Sequence, residues 1–231
     1  MFKTLGLITY DTPHLKTEQV LTGLLSKYDP KQFKFYALPF EARKPRTILK
    51  SHRPDQTASI HPQILAETHK IPYVSVEHDW EIPNDCEYFL ILGAGLLSER
   101  FISGKQVINC HPGIIPAVRG LDAFKWAIYD MKSLGITLHF IDKHVDAGEV
   151  ISIIPTDVYK TDTFETLARR HYENEILAMC HFEYHLKTRT NIFLGIPEGE
   201  SRRRMSTKDE MLMEGKFGDY VEQFSIIKSS I

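Results

Sequence analysis

Residues 107–120 read "VINCHPGIIPAVRG". The branched apolar side chains at 107–108 suit a buried strand. Pro112 has no N–H for a ladder, so the strand stops there and the chain turns away at its carboxyl end. Asn109 and His111 stand two apart and therefore share one face of that strand. A loop with two glycines, a further proline and one charge follows, which reads as structured rather than solvated.

Working outward, short apolar runs alternate with helical patterns. Residues 5–10, 33–38 and 73–76 read as strands. Residues 15–28 carry Val20, Leu21, Leu24 and Leu25 at helical spacing, and 62–69 also looks helical. "EYFLILGAG" (87–95) is a strand ending in glycines, and "LLSERFI" (96–102) is a short helix. Asp122 is placed to cap a helix bearing Ala123, Trp126, Ala127 and Met131, with Gly135 as its stop. "GITLHFI" (135–141) and "EVISIIP" (149–155) are strands, and Asp162 with Glu165 has capping-box spacing before a long helix to about 186. This alternation predicts an α/β, Rossmann-like fold: a mostly parallel twisted sheet with helices on both faces. Such sheets bind ligands at the carboxyl ends of their strands. We expect a catalytic domain over 1–188. The polar extension over 189–231, with a short helix at "DYVEQF" (219–224), would serve dimerisation or cover the substrate site.

The 231 residues are 42% hydrophobic and 25% charged, enough for one sizeable core. A net charge of −2 gives no general attraction to nucleic acid. The three cysteines, Cys86, Cys110 and Cys180, have no metal-ligand spacing, so no metal is expected and a reducing compartment is the simpler reading. There is no signal-like start and no stretch long enough to span a membrane, so the expected location is the cytoplasm.

An Asn amide can donate to a developing oxyanion, and a neutral His can accept a proton near neutral pH. On that pair alone, an Asn satisfying a turn and a His packed under the loop are the favoured reading. "GITLHFIDKHVDAGEVI" (135–151) adds a third group. Alternation puts Thr137, His139 and Ile141 on one strand face, and the following turn presents Asp146. Alone, Asp146 before Gly148 reads as a turn former.

Together, residues 108–151 resemble the formyltransferases that use N10-formyltetrahydrofolate. The matching positions are Asn109, His111, Pro112, Gly120, Asp122, His139, Asp146 and Gly148. The resemblance implies that Asn109 steadies an oxyanion, that His111 handles the amine proton, and that Asp146 tunes His111. It also implies a donor site at Gly93, Gly95, Leu96, Leu97, His139, Asp142 and Val145, and no metal.

The resemblance leaves the acceptor amine open. After the first strand comes "TYDTPHLKTE", without the glycine-rich phosphate loop of glycinamide ribonucleotide enzymes. The residues after 188 are too few for the tRNA-binding domain of methionyl-tRNA enzymes. A nucleotide-linked amino deoxysugar for surface polysaccharide remains, with phosphate donors sought in the basic segment holding Arg43, Arg46, His52 and Arg53. His78, Asp79 and Trp80 could stack on a base or bond a sugar, or form a surface turn. A homodimer is a further expectation. The alternatives are formyltetrahydrofolate hydrolysis, formylation of glycinamide ribonucleotide, and a folate- or nucleotide-binding module without turnover.

Overall fold

A computed structural model describes residues 2–41, 46–143, 146, 148–189 and 201–226. Arg43 and Val145 lie outside them. Seven strands form one sheet: β1 (Leu5–Tyr10), β2 (Phe33–Leu38), β3 (Tyr73–Ser75), β4 (Tyr88–Ile91), β5 (Val107–His111), β6 (Gly135–Phe140) and β7 (Val150–Pro155). The helices are α1 (Leu15–Leu25), α2 (Pro62–His69), α3 (Glu99–Ile102), α4 (Ala123–Tyr129), α5 (Phe164–Cys180), α6 (Phe182–Thr188) and α7 (Thr207–Phe224). The spatial order is β3-β2-β1-β4-β5-β6-β7. β3 through β5 pair in parallel, whereas β5–β6 and β6–β7 are antiparallel.

β1 is buried along almost its whole length, as expected of a parallel strand covered on both faces. On one face Leu5, Leu7, Phe33 and Phe35 meet Val20, Leu21 and Leu24 of α1. On the other, Ile8 and Tyr36 pack with Phe89, Phe101 and Val107. No helix among the described residues is long and apolar enough to cross a membrane.

Four boundaries differ from the sequence pattern, and at two of them an expected capping carboxylate is taken by another partner. Asp122 stands at the α4 N-cap but makes no cap bond to that helix. Its carboxylate instead accepts from Arg46 Nη2 at 2.9 Å and from the Met205 N–H at 3.0 Å. α4 also ends at Tyr129, and Gly135 opens β6 rather than stopping the helix. The α5 cap is Thr163, paired reciprocally with Thr166, because Asp162 is taken by Arg170 at 2.7 and 2.8 Å. The helix expected to run to about 186 breaks at His181 into α5 and α6.

"DYVEQF" is the end of the eighteen-residue α7, started by Ser206 accepting from the Asp209 N–H. Met213, Tyr220 and Val221 of α7 join Phe124, Ala127 and Ile128 of α4 in a second apolar cluster. Within that contact, Lys125 and Glu210 pair at 2.7 Å, both side chains fully buried. Removing Lys125 takes the nearest cation from a buried carboxylate, which keeps the Leu49 N–H at 2.6 Å and Arg46 Nη1 at 3.6 Å. Lys125→Met should therefore cost about 3–5 kcal/mol of unfolding free energy. Adding Glu210→Gln should return part of that loss. Urea melts of the three proteins check this; a loss below about 1 kcal/mol for Lys125→Met would mean the pair is relaxed or hydrated.

Candidate active site

The β5–β6 register assembles the site. Asn109 lies opposite His139 and His111 opposite Thr137. Directly opposed residues share a face, so these four side chains stand together, while Ile108, Cys110 and Leu138 point into the core on the other side. The buried Thr137 hydroxyl donates to Gly113 O at 2.7 Å and accepts from the Ile115 N–H at 3.1 Å. It thereby pins the loop that leaves Pro112. Gly113 must lack a side chain, since a Cβ there would sit 2.8 Å from His111 Nε2 and 3.0 Å from Val118 O.

The two histidines present opposite nitrogens to the backbone. His111 Nε2 is 3.0 Å from Val118 O, and a carbonyl only accepts, so Nε2 carries a proton. Nδ1 is then the nitrogen that gains or loses the second proton, and it faces Asp146 Oδ2 at 3.4 Å. In His139 it is Nδ1 that donates, to Phe140 O at 3.0 Å. Its Nε2 therefore accepts from Asn109 Nδ2 at 3.3 Å, which fixes which end of that amide is the NH2 group. Burial, followed by the nearby His111, pushes His139 down to about 4, so it is neutral at physiological pH. Asp146 takes a left-handed φ of 49°, and its Oδ2 accepts from the Gly120 N–H at 2.9 Å.

Several neighbours were invisible to sequence reasoning. His171 lies beneath the site, with Nε2 donating to Pro112 O at 3.2 Å, and burial pushes it down to about 4. Glu175 is almost fully buried between Lys16 Nζ and Arg53 Nη2, each at 2.6 Å. Burial alone would push its carboxyl up, but Arg53 and Lys16 outweigh it and hold it down to about 2. No local pattern announces such partners, because the chain separations are long.

The expected acceptor residues do not gather on one open surface. Arg46 is spent on Asp122 and the Met205 carbonyl, and Arg53 on Glu175. His52 stacks on Phe124 at 5.9 Å. His52 and Arg53 do line a groove of about 820 Å³ between α1 and α5, in whose walls Asn109, His111 and Asp146 have no part. Asp79 is buried and binds the Ser98 N–H and, at 2.8 Å, the Ser98 hydroxyl. It thus anchors the loop of Gly93, Gly95, Leu96 and Leu97, in which Leu96 is 87% exposed. His78 stacks on Trp80 at 4.2 Å, with Arg100 over the indole. Asp142 is exposed, and no metal-holding cluster occurs among the described residues.

Residues 86–181 match the formyl transferase family. The phosphoribosylglycinamide formyltransferase of Bacillus subtilis is 32% identical over 99 residues, 42% of this chain and 49% of that protein. The chain thus spans about half the length of the curated relative it matches. A sugar N-formyltransferase from a Shewanella species superposes over 93% of this chain and 87% of its own, with TM-score 0.61 and 14% identity. Phosphoribosylglycinamide formyltransferase from Bacillus halodurans superposes over 83% of this chain and 100% of its own, with TM-score 0.55 and 18% identity. The fold is that of the formyltransferases.

Buried histidines also set an acid limit on stability. His14, His139 and His171 are each pushed from 6.5 to about 4, chiefly by burial. Between those values the unfolded chain binds protons that the folded chain does not, so stability falls as pH falls through that window. Each histidine contributes a slope of up to about 1.4 kcal/mol per pH unit. Urea melts from about pH 7 to about pH 4 should show this decline, and His171→Asn should flatten it. A pH-independent midpoint would contradict the burial of these rings.

Proposed function

We propose that the chain transfers a formyl group from N10-formyltetrahydrofolate to the primary amine of a nucleotide-linked amino deoxysugar. The observation that carries the reading is the convergence of Asn109 Nδ2, His111 Nδ1 and Asp146 at the carboxyl end of β5. The donor supplies an activated formyl carbon. Its rim would be Ala94, Leu97 and Ile141, partly buried apolar side chains packed on the Phe101–Val107 cluster.

As the acceptor amine adds to that carbon, negative charge grows on the formyl oxygen. One hydrogen of the Asn109 amide is held by His139, and the other is left to donate to that oxygen. His111 Nδ1 takes the proton that the attacking nitrogen sheds. Asp146, 3.4 Å away, favours the resulting imidazolium. The same proton then serves the departing folate nitrogen.

The choice of acceptor rests on the α1 approach. Asp11 occupies the turn after β1 and accepts from the Tyr73 hydroxyl at 2.5 Å and the Ser75 hydroxyl at 2.6 Å. A carboxylate there disfavours a phosphate monoester at the start of α1. With Arg46 and Arg53 paired internally, the sugar's diphosphate would depend on other donors. The reading also places the reaction in the cytoplasm, where soluble precursors of surface polysaccharide are formylated.

The test is incubation with N10-formyltetrahydrofolate and a panel of dTDP-, GDP- and UDP-linked amino sugars, with glycinamide ribonucleotide alongside. A formamide on an amino sugar is expected, with Asn109→Ala lowering kcat by about 10²–10³-fold. Formylation of glycinamide ribonucleotide alone would assign the other acceptor. Formate release without any acceptor would make the chain a hydrolase.

A further inference from the structure

We infer that the segment after residue 200 is a positioning element for the active site, acting through the Arg202 main chain on Gly120 and through the Gly120 N–H on Asp146. This rests on the assignment of His111 and Asp146 to the reaction. The first link is the 2.9 Å bond from the Gly120 N–H to Asp146 Oδ2, the oxygen that also faces His111. The second is a β-bridge between Gly120 and Arg202. It consists of the Leu121 N–H to Arg202 O at 2.9 Å and the Arg202 N–H to Arg119 O at 3.0 Å. The bridge is close enough to demand glycine: φ is +90°, and a Cβ on Gly120 would lie 2.2 Å from Arg202 O.

Arg202 is in turn held by α4. Its Nη2 pairs with Asp130 at 2.8 Å, and its guanidinium lies 4.5 Å from the centre of the Trp126 ring. Trp126 Nε1 donates to Arg203 O at 2.8 Å, and Asp122 accepts from the Met205 N–H at 3.0 Å. Four contacts thus tie residues 202–205 to α4 and to the aspartates that flank it, and that stretch clamps the loop whose amide orients the carboxylate. Asp146 has a left-handed backbone of its own, which costs energy in a non-glycine residue. An external donor that fixes its side chain removes one freedom from a turn already under constraint. The extension therefore acts within its own chain and on the chemistry, not only on the core.

The test uses the full chain and a double-mutant cycle. Gly120→Ala should lower kcat by on the order of 10- to 100-fold while KM for the folate changes little, since the carboxylate moves and the donor rim does not. Arg202→Ala keeps the peptide bridge but frees it from α4 and should give a smaller fall of the same kind. In an Asp146→Asn background both effects should shrink to about twofold or less. Should Gly120→Ala fail to fold, Arg202→Ala answers the same question. Undiminished losses in the Asp146→Asn background, or wild-type kcat in the single variants, overturn the inference. Exchange of the Gly120 amide hydrogen gives an answer that needs no turnover. It should be slow in the wild-type chain and faster in both Arg202→Ala and Asp146→Ala. Equal exchange in the three proteins also overturns it, whereas an absence of formyl transfer with this exchange pattern intact would count against the proposed function alone.

Discussion

The antiparallel register between β5 and β6 is the constraint on which the rest depends. It puts Asn109 against His139 and His111 against Thr137. A slip of one residue would turn every one of these side chains into the core and bring Ile108, Cys110 and Leu138 to the cleft. The β6–β7 pairing shifts register between Leu138 and His139, while the β5–β6 register runs unbroken from Ile108 to His111. Thr137 then carries the register into the loop by bonding both Gly113 and Ile115. What looks like a cluster of catalytic groups is first a pairing of two strands.

Around this pairing the charges are arranged so that few are left unmatched in the interior. Glu175 has Lys16 and Arg53, Glu210 has Lys125, and Asp122 has Arg46. Residues 46–60 supply Arg46 and Arg53 to helices distant in sequence, and the Leu15 N–H bonds Gln56 O at 2.8 Å. The segment works as a strap across α1, α5 and α7. That explains why a stretch so rich in arginine and lysine does not present an open anion site. Burial keeps His139 and His171 neutral, and the two ring nitrogens of His139 meet a carbonyl on one side and an amide NH2 on the other.

Much of the fold was legible because it follows local rules. The strand at 5–10 and the helix at 62–69 came from apolar period and turn residues alone, and the helix read over 15–28 is present but stops at Leu25. The shared face of Asn109 and His111 was legible through strand alternation, and the likeness of that stretch to the formyltransferases agrees with the family match over residues 86–181. What was not legible depends on distant pairing. Asp122 and Asp162 looked like helix caps, since a short carboxylate before an apolar run usually is one. Arg46 and Arg170 claimed them instead. The same cause hid the internal pairing of Arg53, the burial of Asp79 against Ser98, and the bridge from Arg202 to Gly120. A sequence shows which groups can bond, and the tertiary structure decides which do.

The β5–β6 register holds two adjacent histidines in opposite tautomers. That leaves His111 Nδ1 to exchange a proton beside Asp146 and leaves Asn109 with a defined NH2 direction. Nitrogen-15 NMR of the imidazole rings near neutral pH tests this directly. The expected result is an Nε2-bound proton in His111 and a neutral His139 protonated at Nδ1 that stays neutral until about pH 4. A neutral His111 protonated at Nδ1, or a His139 that becomes charged near its ordinary value, would contradict it.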